Sequence, residues 1–249
     1  MKTQLSKSAS LLLLAAFSGV VGVFNSPASA QSFDLIVGAP ATPFTSIRGL
    51  SADGLHAAGQ NSGAVGFAQA FIWSRPEGVR RLSDLGVPSL YSGLGISGNG
   101  QVVVGAGVGG GYRWSQAGGL QTLPPPVGYV GASTSSANND GSFVGGQVQI
   151  NRPQGLPPAY FATTWDSEGT PTILDPNRNL GDSFINAISR DGSTVVGYGR
   201  GGGLQAFKWT QAGGIQVLPN LLGTSDNYNE ACAVSGNGQF IVGISNDRS

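Results

Sequence analysis

An Asp-Gly or Asn-Gly dipeptide recurs five times along this chain: Asp53-Gly54, Asn99-Gly100, Asp140-Gly141, Asp191-Gly192 and Asn237-Gly238. The turn glycines are 46, 41, 51 and 46 residues apart. Five residues after each lies a second glycine, at Gly59, Gly105, Gly146, Gly197 and Gly243. Three residues before each lies Ser51, Ser97, Asn138, Ser189 or Ser235, preceded by the apolar Leu50, Ile96, Ala137, Ile188 or Val234. A period of this length describes one supersecondary unit that cannot bury its apolar face alone, so such units stack on one another.

Within each unit the local chemistry points to β-structure. Asp-Gly and Asn-Gly favour the positive φ values of a type I′ hairpin turn. The residues that follow, such as Val102-Val103-Val104 and Thr194-Val195-Val196, are β-branched and bounded by glycine. Apolar runs without alternation suit a strand buried on both faces. The Ser or Asn before the turn is placed to bond local backbone. After the first four hairpins comes an aromatic strand ending in tryptophan: Ala70-Phe71-Ile72-Trp73, Gly111-Tyr112-Arg113-Trp114, Thr163-Thr164-Trp165 and Ala206-Phe207-Lys208-Trp209. A glycine turn and one more short strand follow, as in Trp114-SQAGGLQTLP and Trp209-TQAGGIQVLP. Each Trp precedes the next turn glycine by 27, 27, 27 and 29 residues, so length varies mainly between the hairpin and the Trp strand. Four strands per unit predict an all-β protein, a β-propeller of about five four-stranded blades.

The units resemble those of the HAF-repeat family of bacterial extracellular proteins, whose pattern runs Ile-Ser-x-Asp-Gly-x-x-Val-Val-Gly and then Ala-Phe-x-Trp. The resemblance covers Ile47 to Asn246. It is strongest over Ile188–Gly197 with Ala206–Trp209, and over Ile96–Gly105 with Trp114. It is weakest in the third copy, where Asn138 replaces Ser and the Ala-Phe pair is missing. The family's histidine before Ala-Phe is replaced by Gln69 and Gln205. The resemblance implies a secreted repeat protein and transfers no catalytic residue.

The fifth unit stops at Ile244-Ser-Asn-Asp-Arg-Ser249, before any Trp strand. The segment Phe33-Asp-Leu-Ile-Val37 is expected to complete that blade and close the ring; the alternative is an incomplete ring, part of a longer array. Residues 1–30 read as a signal peptide. Lys2 and Lys7 precede an apolar run over Leu11–Phe24, and Ala28-Ser29-Ala30 forms a small-x-small cleavage site. The run is short for a bilayer span of about 20 residues. Residues 31–249 are then a single exported repeat domain carrying 11 basic and 13 acidic side chains. Arg80-Arg81 is the one adjacent basic pair, so nothing in the sequence favours nucleic acid. The lone Cys232, in Ala-Cys-Ala-Val, is expected to be a buried, inert thiol.

Catalysis needs convergent groups, and the sequence offers few. His56, the sole histidine, stands where Val102 and Thr194 stand in other copies and has no Cys or His partner for zinc. Asp53, Asp140 and Asp191 are replaced by Asn99 and Asn237 in two copies, which keeps turn-forming ability and discards acidity. The Gly-rich stretches Gly105–Gly111 and Gly197–Gly203 lead into strands, unlike phosphate loops, which lead into helices. The tryptophans read as blade packing. No catalytic, cofactor-binding or metal-ligating residue is assigned, and no cofactor is expected. The leading expectation is an exported, non-enzymatic binding or surface-display module for a glycan, cell-envelope polymer or protein. Its ligand would contact the variable loops Gly105–Gly111, Gln147–Pro158 and Gly197–Gly203. One alternative is a polysaccharide-acting enzyme using Asp84, Asp166, Glu168 or Asp182, which lie outside the repeated turn. The other is a structural passenger of a longer surface protein.

Overall fold

Tight antiparallel pairing between consecutive strands builds each unit. The computed structural model describes residues 44–62, 68–89, 91–153, 155–220 and 228–245. The first blade comprises β1 (Phe44–Leu50), β2 (His56–Ser62), β3 (Ala68–Ser74) and β4 (Gly78–Arg81). The second has β5 (Ser92–Ile96), β6 (Val102–Gly107), β7 (Gly110–Ser115) and β8 (Gly119–Leu123). The third has β9 (Gly131–Ala137), β10 (Val144–Ile150), β11 (Ala159–Trp165) and β12 (Pro171–Ile173). The fourth has β13 (Ser183–Ile188), β14 (Val195–Gly199), β15 (Gln205–Thr210) and β16 (Gly214–Val217). The fifth has two described strands, β17 (Asn229–Val234) and β18 (Ile241–Ser245). Each of the four larger sheets keeps sequence order across the blade. The described residues form a β-propeller of four complete blades and two strands of a fifth, the architecture that the repeat predicts. The signal segment, its cleavage site and the strand expected at Phe33–Val37 lie outside the described residues.

First strands pack on first strands along the series β1, β5, β9, β13, β17. Apolar core therefore sits between blades. Ala58, Ala70 and Leu82 of the first meet Val103, Tyr112 and Trp114 of the second. Ala162 and Leu174 of the third meet Ile185, Val195 and Phe207 of the fourth. Trp165 is fully buried and Trp73 and Trp114 nearly so, which is the packing role expected of them. Hydrogen bonds tie the blades together as well. The shorter fourth strand leaves the N–H of Ala70, Ala162 and Ala206 without a ladder partner. These donate to the next blade, in its first strand or just before it: to the Tyr91 carbonyl at 2.7 Å, Ser183 Oγ at 2.9 Å and Asn229 Oδ1 at 2.9 Å. Between the second and third blades Thr134 Oγ1 does related work, donating toward the Tyr112 and Gly105 carbonyls and accepting from the Gly105 N–H.

The repeated turn is not type I′. That turn needs positive φ at both central residues, and among the described residues the one non-glycine with positive φ is Arg178. Instead Ser51 and Gly54 are the first and last residues of a four-residue turn closed by Gly54 N–H to Ser51 C=O at 3.0 Å. The same bond closes Ser97–Gly100, Ser189–Gly192 and Ser235–Gly238 at 3.0, 2.9 and 3.0 Å. Ser at the first position and Gly at the fourth are the preferences of a type I turn. The dipeptide was the right signal for a hairpin, but its glycine sits one place later than a two-residue loop would put it.

The second glycine of the repeat has a separate cause. In every blade the first strand carries a register shift, a β-bulge, opposite it: between Ile47/Gly49, Gly93/Gly95, Ile185/Ala187 and Ala231/Ala233, with the irregularity in the third at Gly145/Gly146. The bulge pushes a backbone carbonyl onto the glycine. A Cβ at Gly59, Gly105, Gly146, Gly197 or Gly243 would overlap the carbonyl oxygen of Ser46, Ser92, Ser133, Phe184 or Glu230 respectively. We expect Gly197→Ala to cost roughly 3 kcal/mol or more, because backbone must move. Gly119→Ala, in open space at φ 68°, should cost about 1 kcal/mol from backbone strain alone. Denaturant midpoints of the two variants check the contrast.

Candidate functional site

Antiparallel strands send the two classes of loop to opposite ends of the blades. One end carries the repeated turns and the turns between third and fourth strands. The other carries the connections between second and third strands and the crossings from one blade to the next.

The repeated-turn end is structural. Ser51 Oγ donates to Asp53 Oδ1 at 2.6 Å and accepts from the His56 N–H at 2.9 Å, while Asp53 Oδ1 accepts from the Leu55 N–H at 2.9 Å. The same three bonds recur through Ser97 and Asn99, Ser189 and Asp191, and Ser235 and Asn237. In the third blade Asn138 Oδ1 accepts from the Phe143 N–H, and Asp140 Oδ1 takes both Ser142 donors. Only acceptor oxygens are needed, so Asp and Asn interchange. The donated bonds, first from Ser51, Ser142 and Ser189, hold the Asp53, Asp140 and Asp191 carboxyls below their ordinary range. Turn backbones also join across blades: Ala52 N–H to Gly98 C=O at 2.7 Å, Asn99 to Asn139 at 2.8 Å, Asn139 to Arg190 at 2.9 Å and Asp191 to Gly236 at 3.2 Å. Arg113 adds a clamp from the second blade to the third. Its guanidinium donates to the carbonyls of Ser142 at 3.0 Å, Asp166 at 2.9 Å and Ser167, and to Gln121 Oε1 at 2.7 Å. Burial pulls its pKa below the ordinary arginine value.

The four acidic residues considered for catalysis do not converge. Asp166 and Glu168 lie in the β11–β12 turn at the repeated-turn end, where Asp166 Oδ1 accepts from the Glu168 and Thr170 N–H groups at 3.1 and 2.7 Å. Asp84 is exposed in the 3-10 helix Leu82–Leu85, and Asp182 precedes β13; both lie at the other end. His56 opens β2 opposite Ser74 and its Nδ1 is buried without a hydrogen-bond partner against Gly100, in keeping with a packed strand residue. Among the described residues no three His, Cys, Asp or Glu side chains gather closely enough to hold a metal ion. Cys232 is exposed, not buried. Its position in the repeat faces the following blade, as Asn186 faces Glu230 and Ala231, and β17 belongs to the last described blade.

The loop end gathers the side chains best suited to recognition, on the third and fourth blades. Of the expected contact loops, Gly105–Gly111 shrinks to a two-residue turn between β6 and β7. Gln147–Pro158 and Gly197–Gly203 begin in β10 and β14 and leave connections at 151–158 and 200–204. Asp182 Oδ1 accepts from Arg152 at 2.7 Å, Arg178 at 2.8 Å and the Tyr160 N–H at 3.3 Å, so this oxygen is saturated. Arg178 stands at φ 58°, a costly conformation for a non-glycine residue. The buried Asp175 holds it there by accepting from the Asn179 and Leu180 N–H groups at 3.0 and 2.7 Å. The guanidinium thereby reaches over the Phe161 ring at 5.2 Å. Beside it Tyr160, Phe184 and Tyr198 form a row with ring centroids 5.5 and 5.2 Å apart. Arg200 lies over Phe184 at 4.9 Å and Tyr198 at 5.4 Å, and donates to the Tyr198 hydroxyl at 3.2 Å. Three arginines and one carboxylate share this patch, on a chain of formal net charge +0. Sequence reading missed it, because the arginines are spread over nearly fifty residues and meet only when the loops do.

No protein-family model matches the sequence, and no curated protein matches it. The chain is similar in structure to TolB from Acinetobacter baumannii, with 18% identity over 78% of this chain and 46% of that one, at a TM-score of 0.50. A protein described as TolB from Agrobacterium tumefaciens gives 16% identity over 72% of this chain and 62% of that one, at 0.51. The chain thus spans less than two thirds of either structure. The β-propeller domain of the Trilobed protease from Pyrococcus furiosus gives 10% identity at a TM-score of 0.48. Identity this low speaks to fold alone. The propeller itself is read from the blades described above.

The lowered Asp pKa values make the turns acid-sensitive. A depressed folded pKa adds stability that is complete above the unfolded value and lost as pH falls through the folded one. We expect the triple variant Asp53→Asn, Asp140→Asn, Asp191→Asn to match the parent's denaturation midpoint at pH 7. It should lose less stability than the parent when pH drops below the ordinary carboxylate value of 3.8. Asp191→Ala, which removes the acceptor, should lower the midpoint at both pH values.

Proposed function

We propose that this chain is an exported, non-enzymatic member of the HAF-repeat group whose propeller binds an acidic glycan of the cell envelope at the loop end of the third and fourth blades. The observation that carries this reading is the aromatic row of Tyr160, Phe184 and Tyr198, flanked by Arg152, Arg178 and Arg200. Sugar rings stack on aromatic faces, and guanidinium forks pair with carboxylates in two parallel hydrogen bonds. Asp182 keeps two of the arginines aligned at modest cost, since all three side chains are partly solvated. Arg200 has no ion-pair role in that arrangement and offers its charge outward. Strained backbone at Arg178 is the kind of local expense found where a side chain must be aimed.

The non-enzymatic reading is supported by the separation of Asp166 and Glu168 from Asp182 and by the saturation of Asp182 Oδ1. Glycoside cleavage uses two carboxyl groups facing one bond, about 5–10 Å apart. Residues 31–249 should bind polyuronates on an array of acidic and neutral polysaccharides, with affinity falling steeply as salt rises. Arg200→Ala should weaken binding about tenfold or more without moving Tm, and Phe184→Ala should weaken it as much while lowering Tm by the loss of its stacking. Equal binding to neutral polymers, or indifference to both substitutions, refutes the proposal.

A further inference from the structure

The third blade carries a polar hollow at the loop end, beside the aromatic row. It has a volume of about 150 Å³ and is lined by residues 131–133, residues 147–149 and Tyr160. Pairing of β9 with β10 sets Ser133 opposite Gln147 and Gly131 opposite Gln149, and on the other edge of β10 Tyr160 lies opposite Gln149. Directly paired residues project to the same face of a sheet, so these five share one face. Gly131 leaves room for Gln149: a Cβ there would stand 3.0 Å from its Nε2. Tyr160 is at once a wall of the hollow and the first ring of the row. Its N–H donates to the Asp182 oxygen that also holds Arg152 and Arg178.

The chemistry of the lining selects what can fill it. Ser133, Gln147 and Gln149 are half-buried, and among the described residues no hydrogen bond engages their side chains. A primary amide offers two N–H donors and a carbonyl acceptor, so two neighbouring amides complement a group that both donates and accepts. No charged side chain lines the hollow, so a carboxylate is better placed on the arginines beyond Tyr160. At about 30 Å³ per water molecule the space exceeds a hydroxyl, and it falls short of the roughly 300 Å³ of a whole small-molecule site. An acetamido substituent meets each condition. Its N–H and C=O pair with the amides, and its methyl packs on the Tyr160 ring.

The same positions of the repeat serve the proposed site one blade on. Gln147 and Gln149 stand one and three residues after Gly146, as Tyr198 and Arg200 stand one and three after Gly197. Ser133 lies opposite Gln147 as Phe184 lies opposite Tyr198. The second strand thus ends in two amides in the third blade and in a ring and a charge in the fourth.

We propose that the hollow is a subsite for the N-acetyl group of an amino sugar, so that the ligand is a polymer in which uronic acid and N-acetylated hexosamine adjoin. This inference rests on the acidic-glycan reading above and adds the uncharged neighbour of the acidic sugar.

The test compares two synthetic tetrasaccharides by calorimetry on the full exported chain. Both have glucuronic acid at alternate positions in the same linkages; one carries N-acetylglucosamine between them and the other glucose. The N-acetylated form should bind tenfold tighter or more, and saturation-transfer NMR should find its acetyl methyl against the protein. Gln147→Leu with Gln149→Leu should bring the two affinities within threefold of each other while changing that for the glucose form less than threefold. Arg200→Ala should weaken both forms alike and keep their ratio. Equal affinity of the two forms for the parent chain, or a ratio that the double variant leaves intact, overturns the inference. If Arg200→Ala still weakens both, the acidic-glycan reading stands without it. Absence of binding to both forms by a chain that binds polyuronates overturns the inference alone; absence of all three overturns the two together. The comparison on the parent chain decides the matter even if the double variant folds poorly.

Discussion

Backbone pressed against a glycine is the contact on which this architecture rests. In all five blades a bulged first strand drives one carbonyl onto the second strand, at the place of Gly59, Gly105, Gly146, Gly197 and Gly243. A bulge adds local twist and bends its strand, which gives each first strand the shape to pack on its neighbours. On its other side the same glycine leaves room for the aromatic ring of the third strand. A Cβ at Gly59 or Gly105 would come within 3.0 Å of Phe71 or 2.8 Å of Tyr112. One missing side chain therefore sets first-strand geometry and ring placement at once.

From that contact follows a core laid down in layers between blades. In each layer the second and third strands of one blade pack on the first strand of the next, so stability accumulates along the chain much as in other repeat arrays. Uncharged polar groups finish the joints: Ser183 and Asn229 receive N–H groups that the short fourth strands leave over, and Thr134 receives that of Gly105 in a second strand. A chain with only 10% charged residues has few salt bridges to spend on assembly. Cross-blade hydrogen bonds and buried valines do that work. In the last described blade Cys232 and Val242 are exposed, and among the described residues no further blade packs on it.

The two ends of the blades divide labour for a reason visible in their hydrogen bonds. At the repeated-turn end every carboxylate and hydroxyl of the motif is committed to its own backbone, and Arg113 is committed to carbonyls of the next blade. At the loop end, chain length varies without disturbing the frame, and the side chains gathered there include a charged group, Arg200, held by stacking on Phe184 and Tyr198 and by one hydrogen bond to the Tyr198 hydroxyl.

The repeat positions dictated blade number, strand order, the burial of Trp73, Trp114 and Trp165 and the structural nature of the Ser-x-Asp turns, because each is a local pattern of small, apolar and turn-forming residues. Three matters were decided only in three dimensions. The turn type depended on which residues took positive φ, and the pairing register left that to the glycine alone. The burial of Cys232 depended on a neighbour that the last described blade lacks. The arginine and aromatic patch depended on two loops of unlike sequence crossing the same end of adjacent blades. Periodicity records contacts that repeat; a site made once, from the parts of each unit that differ, leaves no period to read.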